Sequence, residues 1–385
     1  MTLITTNAAL QDFCKTLENV PFITVDTEFL RDRTFFARLC LIQVSGPDKN
    51  AVAIDVLSEE DELDLTPLWD LLDNPNILKV FHAARQDLEI IWQLTGKIVH
   101  PLFDTQVAAM VCGYGEQIGY EALVADITKE KMDKSSQFTD WARRPLSARQ
   151  LTYALNDVIF LVDVYHHLHK KLAKDGRVDW VAEEMGILTN PKTYEIDPET
   201  AWERLKLRSA KPRDLAVLKE LCAWRELEAQ RKDVPRSRIM RDETLMDLGF
   251  QRPQTVEDLA RIRGISGDMA QGRVGRVLIE TIAKGIAVPD DECPRLDPKA
   301  PLSPRLAPVV EMLKMLLRIQ SAECHVAAKL IATSDDIETL VTAPTADNQL
   351  SHGWRYEVFG KMAQDMMAGK LALTLDQSKI KLLKL

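Results

Sequence analysis

Short apolar runs with strand character alternate with amphipathic segments along the first 175 residues. Three β-branched or apolar runs, with turn-forming residues at 46–48 between the last two, predict an antiparallel meander at 22–25, 37–44 and 51–56. The remaining periodic segments predict helices near 66–72, 84–95, 104–113 and from just after Pro145 to about 171, with a strand at 77–81 and a further segment at 99–103. This alternation is typical of an α/β domain in which helices cover a mixed sheet.

Strand patterns give way to helical periodicity after about residue 200. Apolar positions recur at helical spacing over 213–230, 255–262 and 269–286, and again within 308–375. Six prolines between 289 and 308 mark a linker. We therefore expect an α/β domain and two helical bundles, divided as 1–175 (α/β domain), 176–204 (helical linker), 205–288 (first bundle), 289–307 (Pro-rich linker) and 308–375 (second bundle).

Length and composition agree with a globular protein of more than one domain. The 385 residues exceed one typical core, and 46% apolar with 28% charged residues excludes long disorder. No apolar run approaches the roughly 20 residues of a membrane helix, and the N-terminus lacks a signal-peptide pattern. Six scattered cysteines without a Cys-x-x-Cys pair predict reduced thiols in a cytoplasmic protein, with no zinc site and no disulfide framework.

Charge is distributed unevenly along this acidic chain. The net charge is −9, yet the segment 204–288 holds 18 Lys and Arg against 12 Asp and Glu. An acidic protein with one basic module can bind a polyanion if its acidic part holds metal ions. The basic residues concentrate around one loop, at Arg231, Lys232, Arg236, Arg238 and Arg241. They are candidates for phosphate contacts, with a solvated charged face as the alternative.

Three groups of acids carry the candidate chemistry. Asp26 and Glu28 end the first strand of the meander, and strand alternation projects both carboxylates to one face. Asp87 follows the strand at 77–81, where it could also serve as a first-turn acid that complements a helix dipole. Tyr153 and Asp157 are four residues apart on one helix face. Taken singly, each group has a structural explanation.

Together these residues suit metal-dependent hydrolysis. Carboxylates from a strand, a helix start and a later helix can converge on two Mg²⁺ or Mn²⁺ ions, which prefer oxygen ligands. Such a pair, about 4 Å apart, activates a water and stabilises the leaving oxygen of a phosphodiester. Tyr153, protonated at pH 7, would orient that water. A further acid, Asp104, is expected to cap the helix that it precedes.

The order and spacing of these residues resemble the three exonuclease motifs of the DEDD superfamily, in its tyrosine subclass. Flanking segments are similar to the ribonuclease D family, at Val25-Asp26-Thr27-Glu28-Phe29, Leu41-Ile42-Gln43, Phe103-Asp104-Thr105 and Asp140-Trp141-x-x-Arg144-Pro145-Leu146. The C-terminal half resembles that family's HRDC (helicase and ribonuclease D C-terminal) modules, and Gly353-Trp354-Arg355 resembles a short family motif.

The resemblance implies an RNase H-like exonuclease domain at 1–175, followed by two HRDC-type bundles. It implies a metal-dependent 3′-to-5′ exoribonuclease that releases nucleoside 5′-monophosphates and trims tRNA precursors and other structured RNA. We expect the metal ligands to be the four acids, Asp26, Glu28, Asp87 and Asp157, with Tyr153 as the fifth catalytic residue. Two alternatives stay open: a DNA 3′–5′ exonuclease of the same chemistry and a non-catalytic RNA-binding scaffold. Clustered carboxylates beside a polyanion argue against the scaffold.

Overall fold

The computed structural model describes residues 2–116, 118–296, 302–377 and 379–385, so the predicted Pro-rich linker at 289–307 lies partly outside the described residues. The chain divides into two compact units. One contains the described residues of 1–28, 40–193 and 300–385, and the other those of 29–39 and 194–299. The second unit therefore includes a segment, 29–39, that the sequence pattern assigns to the α/β domain.

A six-stranded sheet forms the centre of the α/β domain. Its strands are β1 (Thr2–Ile4), β2 (Phe22–Leu30), β3 (Arg38–Ser45), β4 (Ala51–Ile54), β5 (Leu78–Phe81) and β6 (Leu102–Asp104). They lie in the order β1-β4-β3-β2-β5-β6. The pair β3–β4 is antiparallel, whereas β1–β4, β2–β5 and β5–β6 are parallel, which confirms the predicted mixed sheet.

Seven α-helices accompany this sheet in the described part of 2–193. They are α1 (Asn7–Leu17), α2 (Thr66–Asp73), α3 (Arg85–Thr95), α4 (Thr105–Val111), α5 (Tyr120–Thr128), α6 (Ala148–Asp175) and α7 (Val178–Leu188). The longest, α6, begins in a capping box in which Ser147 and Gln150 satisfy each other's backbone N–H groups. Its buried stripe includes Leu155, Val158, Leu161 and Val162.

The C-terminal bundle belongs to the same unit as the α/β domain. It contains α14 (Ala307–Cys324), α15 (Ala328–Ile331), α16 (Ser334–Thr342), α17 (Gly353–Arg355) and α18 (Lys361–Met367), with a π-helical turn at Tyr356–Gly360. The helical prediction to residue 375 is wrong at its end, because β7 (Leu371–Asp376) pairs antiparallel with β8 (Lys379–Lys384). Leu371, Leu373 and Leu375 alternate along β7, but Ala372 between them is also apolar, so the strand pattern in the sequence is weak.

The second unit is a helical bundle. Its helices are α8 (Pro212–Lys232), α9 (Arg236–Ile239), α10 (Asp242–Gln251), α11 (Val256–Leu259), α12 (Gly267–Gln271) and α13 (Arg273–Ala287). Helices α8 and α13 approach closely at Gly285, where an added Cβ would lie 2.5 Å from the Cα of Val217. Within this unit the backbone N–H groups of Phe35 and Phe36 donate to the carboxylate of Asp233.

Candidate active site

Strand β2 and helix α6 bring three carboxylates together. The hydroxyl of Thr24 donates to the carbonyl of Val158 at 2.8 Å, so this face of β2 packs on α6. Asp26 and Glu28 follow Thr24 at alternate positions and share its face. As a result, one carboxylate oxygen from each of Asp26, Glu28 and Asp157 lies within 4.8 Å of the other two.

Burial, and to a lesser extent mutual repulsion, disfavours the ionised forms of these three carboxyl groups. Desolvation raises the pKa of Asp26 well above its usual range, and the charge of Asp157 adds to that shift. Desolvation and the charge of Asp26 raise the pKa of Glu28 to about 10, and desolvation raises the pKa of Asp157 to about 7. A divalent cation would allow all three groups to ionise, and an all-oxygen donor set suits Mg²⁺ or Mn²⁺. The residues present therefore fit the metal predicted from the sequence.

Asp87 lies beside this group, at the first turn of α3. Its carboxylate accepts a short hydrogen bond from the hydroxyl of Thr27, which stands between the two acids of β2. Desolvation and the charge of Asp26 raise the pKa of Asp87 well above its usual range. Asp87 therefore lies close enough to Asp26 for their charges to interact. Asp87 is not one of the three acids whose oxygens lie within 4.8 Å of one another.

Asp104 fixes the start of the helix that carries Asp87. One of its carboxylate oxygens accepts the N–H of Gln106 at 2.7 Å, so Asp104 caps α4, as predicted. The same carboxylate accepts the N–H groups of Ala83 and Ala84 at 3.1 and 2.8 Å, just before α3. This side chain therefore has a structural role.

Tyr153 is hydrogen-bonded to the carboxylate group through Asp157. Its hydroxyl bonds the side chain of Asp157, one helical turn away on α6. The centroid of its ring lies 6.1 Å from that of Trp141. Desolvation and the nearby acids raise the pKa of Tyr153, so its hydroxyl stays protonated at neutral pH. Such a hydroxyl can orient a water without taking its proton.

Tyr120 is a site residue that the sequence pattern did not indicate. It begins α5, and its hydroxyl donates a short hydrogen bond to the backbone carbonyl of Asp157. Together with Tyr153, Asp157, Lys131 and Gln137, it lines a cleft of about 420 Å³. A single tyrosine at a helix start has no pattern that distinguishes it from a packing residue.

Arg144 braces the segment that carries Trp141. Its guanidinium binds both carboxylate oxygens of Asp55 through Nε, at 2.9 and 2.8 Å, and donates to the carbonyls of Cys40 and Trp141. The side chains of Arg144 and Asp55 are 14% and 5% exposed. The guanidinium thus anchors the backbone of Trp141, whose ring lies near that of Tyr153, and the buried pair stabilises the segment before α6.

The five basic residues predicted to bind RNA lie in the second unit, and they differ from one another in whether a carboxylate pairs with them. Arg231 and Lys232 pair with Glu228. Arg236 binds both oxygens of the buried Glu226, and its guanidinium lies 4.5 Å from the ring centroid of Phe35. Such contacts indicate a structural role for Arg236. By contrast, Arg238 and Arg241 are exposed, and neither has a carboxylate partner among the described residues.

Comparisons with known proteins agree with the geometry. A family model described as 3′–5′ exonuclease matches residues 1–173, and one described as HRDC domain matches 214–282. Ribonuclease D of Nitrobacter hamburgensis is 47% identical over 380 residues, 99% of this chain and 98% of that protein. Ribonuclease D of Jannaschia sp. is 46% identical over 387 residues, 99% of each chain.

A solved structure extends the likeness to the fold. The crystal structure of Escherichia coli RNase D, described as an exoribonuclease involved in structured RNA processing, superposes with a TM-score of 0.81 at 29% identity. The match covers 96% of this chain and 98% of that chain. With curated relatives at 46–47% identity over nearly the whole chain, this protein belongs to the ribonuclease D family of 3′–5′ exoribonucleases.

Proposed function

We propose that this exoribonuclease removes nucleoside 5′-monophosphates from RNA 3′ ends by two-metal-ion hydrolysis. The observation that carries the proposal is the group formed by Asp26, Glu28 and Asp157, with Tyr153 bonded to it. When bound, two Mg²⁺ or Mn²⁺ ions supply an activated water and a stabilised leaving oxygen. The protein's own part is to hold the ions, orient the water and position the terminal phosphodiester.

The proposed roles follow from the surroundings of each side chain. Asp26, Glu28 and Asp157 would hold one ion, because each offers a carboxylate oxygen to the same small volume. Asp26 would also serve the second ion, and Asp87 would support that ion, since the charge of Asp26 acts on the carboxyl group of Asp87. The hydroxyl of Tyr153 donates to Asp157 and is the group that orients the attacking water.

Structured RNA, including tRNA precursors, is the proposed substrate. The E. coli relative is described as acting in structured RNA processing, and this chain shares its fold over 96% of its length. The segment 204–288, which includes the first bundle, carries an excess of basic residues that favours binding to a phosphate backbone. We infer a cytoplasmic location, because all six cysteines are free thiols. No helix among the described residues is long and apolar enough to cross a membrane.

A direct hydrolysis assay tests this function. Matched RNA and DNA oligonucleotides, labelled at the 5′ end, are incubated with the full-length protein in Mg²⁺, Mn²⁺ or EDTA. We expect stepwise shortening of the RNA, release of nucleoside 5′-monophosphates, and no reaction in EDTA. Preferred shortening of DNA would instead identify a DNA exonuclease, and binding without shortening in either metal would identify a scaffold.

A further inference from the structure

A turn beside the catalytic cleft presents an exposed aromatic ring. Gln137 lines the cleft together with Tyr153 and Asp157, and the next residue, Phe138, has a relative exposure of 92%. Both are the central residues of a turn that the N–H of Thr139 closes by donating to the carbonyl of Ser136 at 3.1 Å. The turn therefore lies at the rim of the cleft, and it carries the ring of Phe138 exposed to solvent.

Hydrogen bonds on both sides of Phe138 fix this turn to the catalytic helix. Ser136 is buried, and the hydroxyl of Thr139 donates to its carbonyl at 2.8 Å. In turn, the side-chain amide of Gln150 donates to the hydroxyl of Thr139 at 3.1 Å. Gln150 belongs to the capping box of α6, one turn before Tyr153. The rim and the catalytic side chains are thus held by the same helix.

The chemistry of the rim suits a nucleic acid strand. An exposed phenylalanine leaves a large apolar area in water, and the faces of nucleobases are natural partners for such a ring. Its neighbours in the turn, Gln137 and Thr139, are polar, so the ring does not continue into an apolar patch along the chain. Lys131 lines the same cleft as Asp157 and adds a positive charge to its lining. An aromatic ring and a cation at one cleft match the alternating bases and phosphates of single-stranded RNA.

We propose that Phe138 stacks on a base of the RNA strand bound in the catalytic cleft and so contributes to substrate affinity. The inference rests on the exoribonuclease function proposed for this cleft. Because every base has a π face, the contact is independent of sequence. Phe138 is a substrate-binding residue in this proposal and takes no part in the hydrolysis itself.

Steady-state kinetics on a short RNA oligonucleotide test the proposal. We expect Phe138→Ala and Phe138→Leu to raise KM by about tenfold, the scale of one lost stacking contact, with kcat little changed. Phe138→Tyr keeps the ring and should restore KM. The matched control is Leu94→Ala on α3, which removes another exposed apolar side chain (56% exposed) from the same unit.

A binding measurement distinguishes this proposal from the proposed function. RNA oligonucleotides with 2-aminopurine at successive positions from the 3′ end are titrated with the protein in Ca²⁺. We expect the fluorescence to be quenched on binding at one position and restored by Phe138→Ala. Unchanged KM and quenching in Phe138→Ala, or a wild-type KM in Phe138→Leu, would overturn the stacking role. Absence of RNA hydrolysis by the wild-type protein in Mg²⁺ would instead overturn the proposed function, whatever the quenching.

Discussion

Asp26 occupies the electrostatic centre of the site. Its charge contributes to the raised pKa of both Glu28 and Asp87, and the charge of Asp157 in turn contributes to the raised pKa of Asp26. Without a cation, these desolvated like charges oppose one another and destabilise the folded site. The same arrangement stabilises a bound divalent cation. In the proposed mechanism, Asp26 would therefore affect metal binding, catalysis and local stability more directly than the other acids.

The substitution Asp26→Asn separates catalysis from folding. We expect kcat to fall by several orders of magnitude in Mg²⁺, because a carboxylate ligand is lost where the metals supply the nucleophile. Thermal unfolding in EDTA should be unchanged or shifted upward, since one member of the repulsive group is neutralised. Asp12→Asn, at an exposed site on α1, is the matched control. Near-normal activity of Asp26→Asn would contradict the assignment of the metal site.

The substitution Tyr153→Phe isolates the hydroxyl. It retains the ring beside Trp141 and deletes the hydrogen bond to Asp157. We expect kcat to fall by roughly 10²-fold, with RNA affinity little changed, because a positioned hydrogen-bonding group is lost. Tyr114→Phe, which removes a hydroxyl hydrogen-bonded to His167, is the control. If kcat stayed at the wild-type value, Tyr153 would be a packing residue.

For single residues, the sequence predicts which side chains share one face of a strand or helix, but it does not predict that the two faces pack against each other. Strand alternation places Asp26 and Glu28 on one face, and helical spacing places Tyr153 beside Asp157. Neither spacing shows that β2 packs on α6, which depends on the buried stripe of α6 and the bond from Thr24. Only the resemblance to the exonuclease motifs predicts that the acids of β2 and α6 lie together.

Helix α6 is the element on which the site depends. Its capping box fixes the first turn, and Tyr153 and Asp157 follow on the face toward β2. The segment before it is held by Arg144, whose buried pair with Asp55 ties this segment to the end of β4. The long periodic pattern made α6 predictable. The three-residue β1 and the hairpin at β7–β8 were not predicted, because so short a strand or so mild an alternation gives little signal.

Removing the ion pair between Arg144 and Asp55 tests whether it stabilises the segment before α6. Arg144→Met leaves Asp55 buried without its partner, so we expect a loss of about 3–5 kcal/mol in the free energy of unfolding, measured by urea denaturation. The double variant Asp55→Asn with Arg144→Met removes the stranded charge and should recover part of that loss. Equal stability of Arg144→Met and the wild type would show that the pair does not hold this segment.

On the scale of the whole molecule, the two helical bundles differ in their relation to the catalytic domain. The C-terminal bundle is integrated with it: Trp354 stacks on Trp180 of α7 at 4.8 Å, and Arg355 pairs with the buried Glu184. These contacts give the predicted motif at 353–355 a structural role. The first bundle forms the second unit and carries the basic excess. Local periodicity predicted both bundles, but long-range packing decided which of them joined the catalytic unit.

The basic surface of the first bundle supports a prediction about long RNA. Arg238 and Arg241 are the members of the predicted cluster that no carboxylate neutralises among the described residues, so they are the ones available for phosphates. We expect the double variant Arg238→Ala with Arg241→Ala to bind a tRNA-sized RNA more weakly. The slope of log affinity against log salt should flatten by roughly 1 to 2 units, slightly under one for each lost contact.

RNA affinity is measured from 50 to 200 mM salt, and two further comparisons serve as controls for the Arg238 and Arg241 double variant. Arg231→Ala with Lys232→Ala removes the same charge from residues already paired with Glu228, and should flatten the slope less. Hydrolysis of a short oligonucleotide, which offers few phosphates to the bundle, should stay near the wild-type rate in both double variants. Wild-type affinity and slope in the Arg238 and Arg241 variant would identify this surface as a solvated face, because a true phosphate contact always releases counterions when it forms.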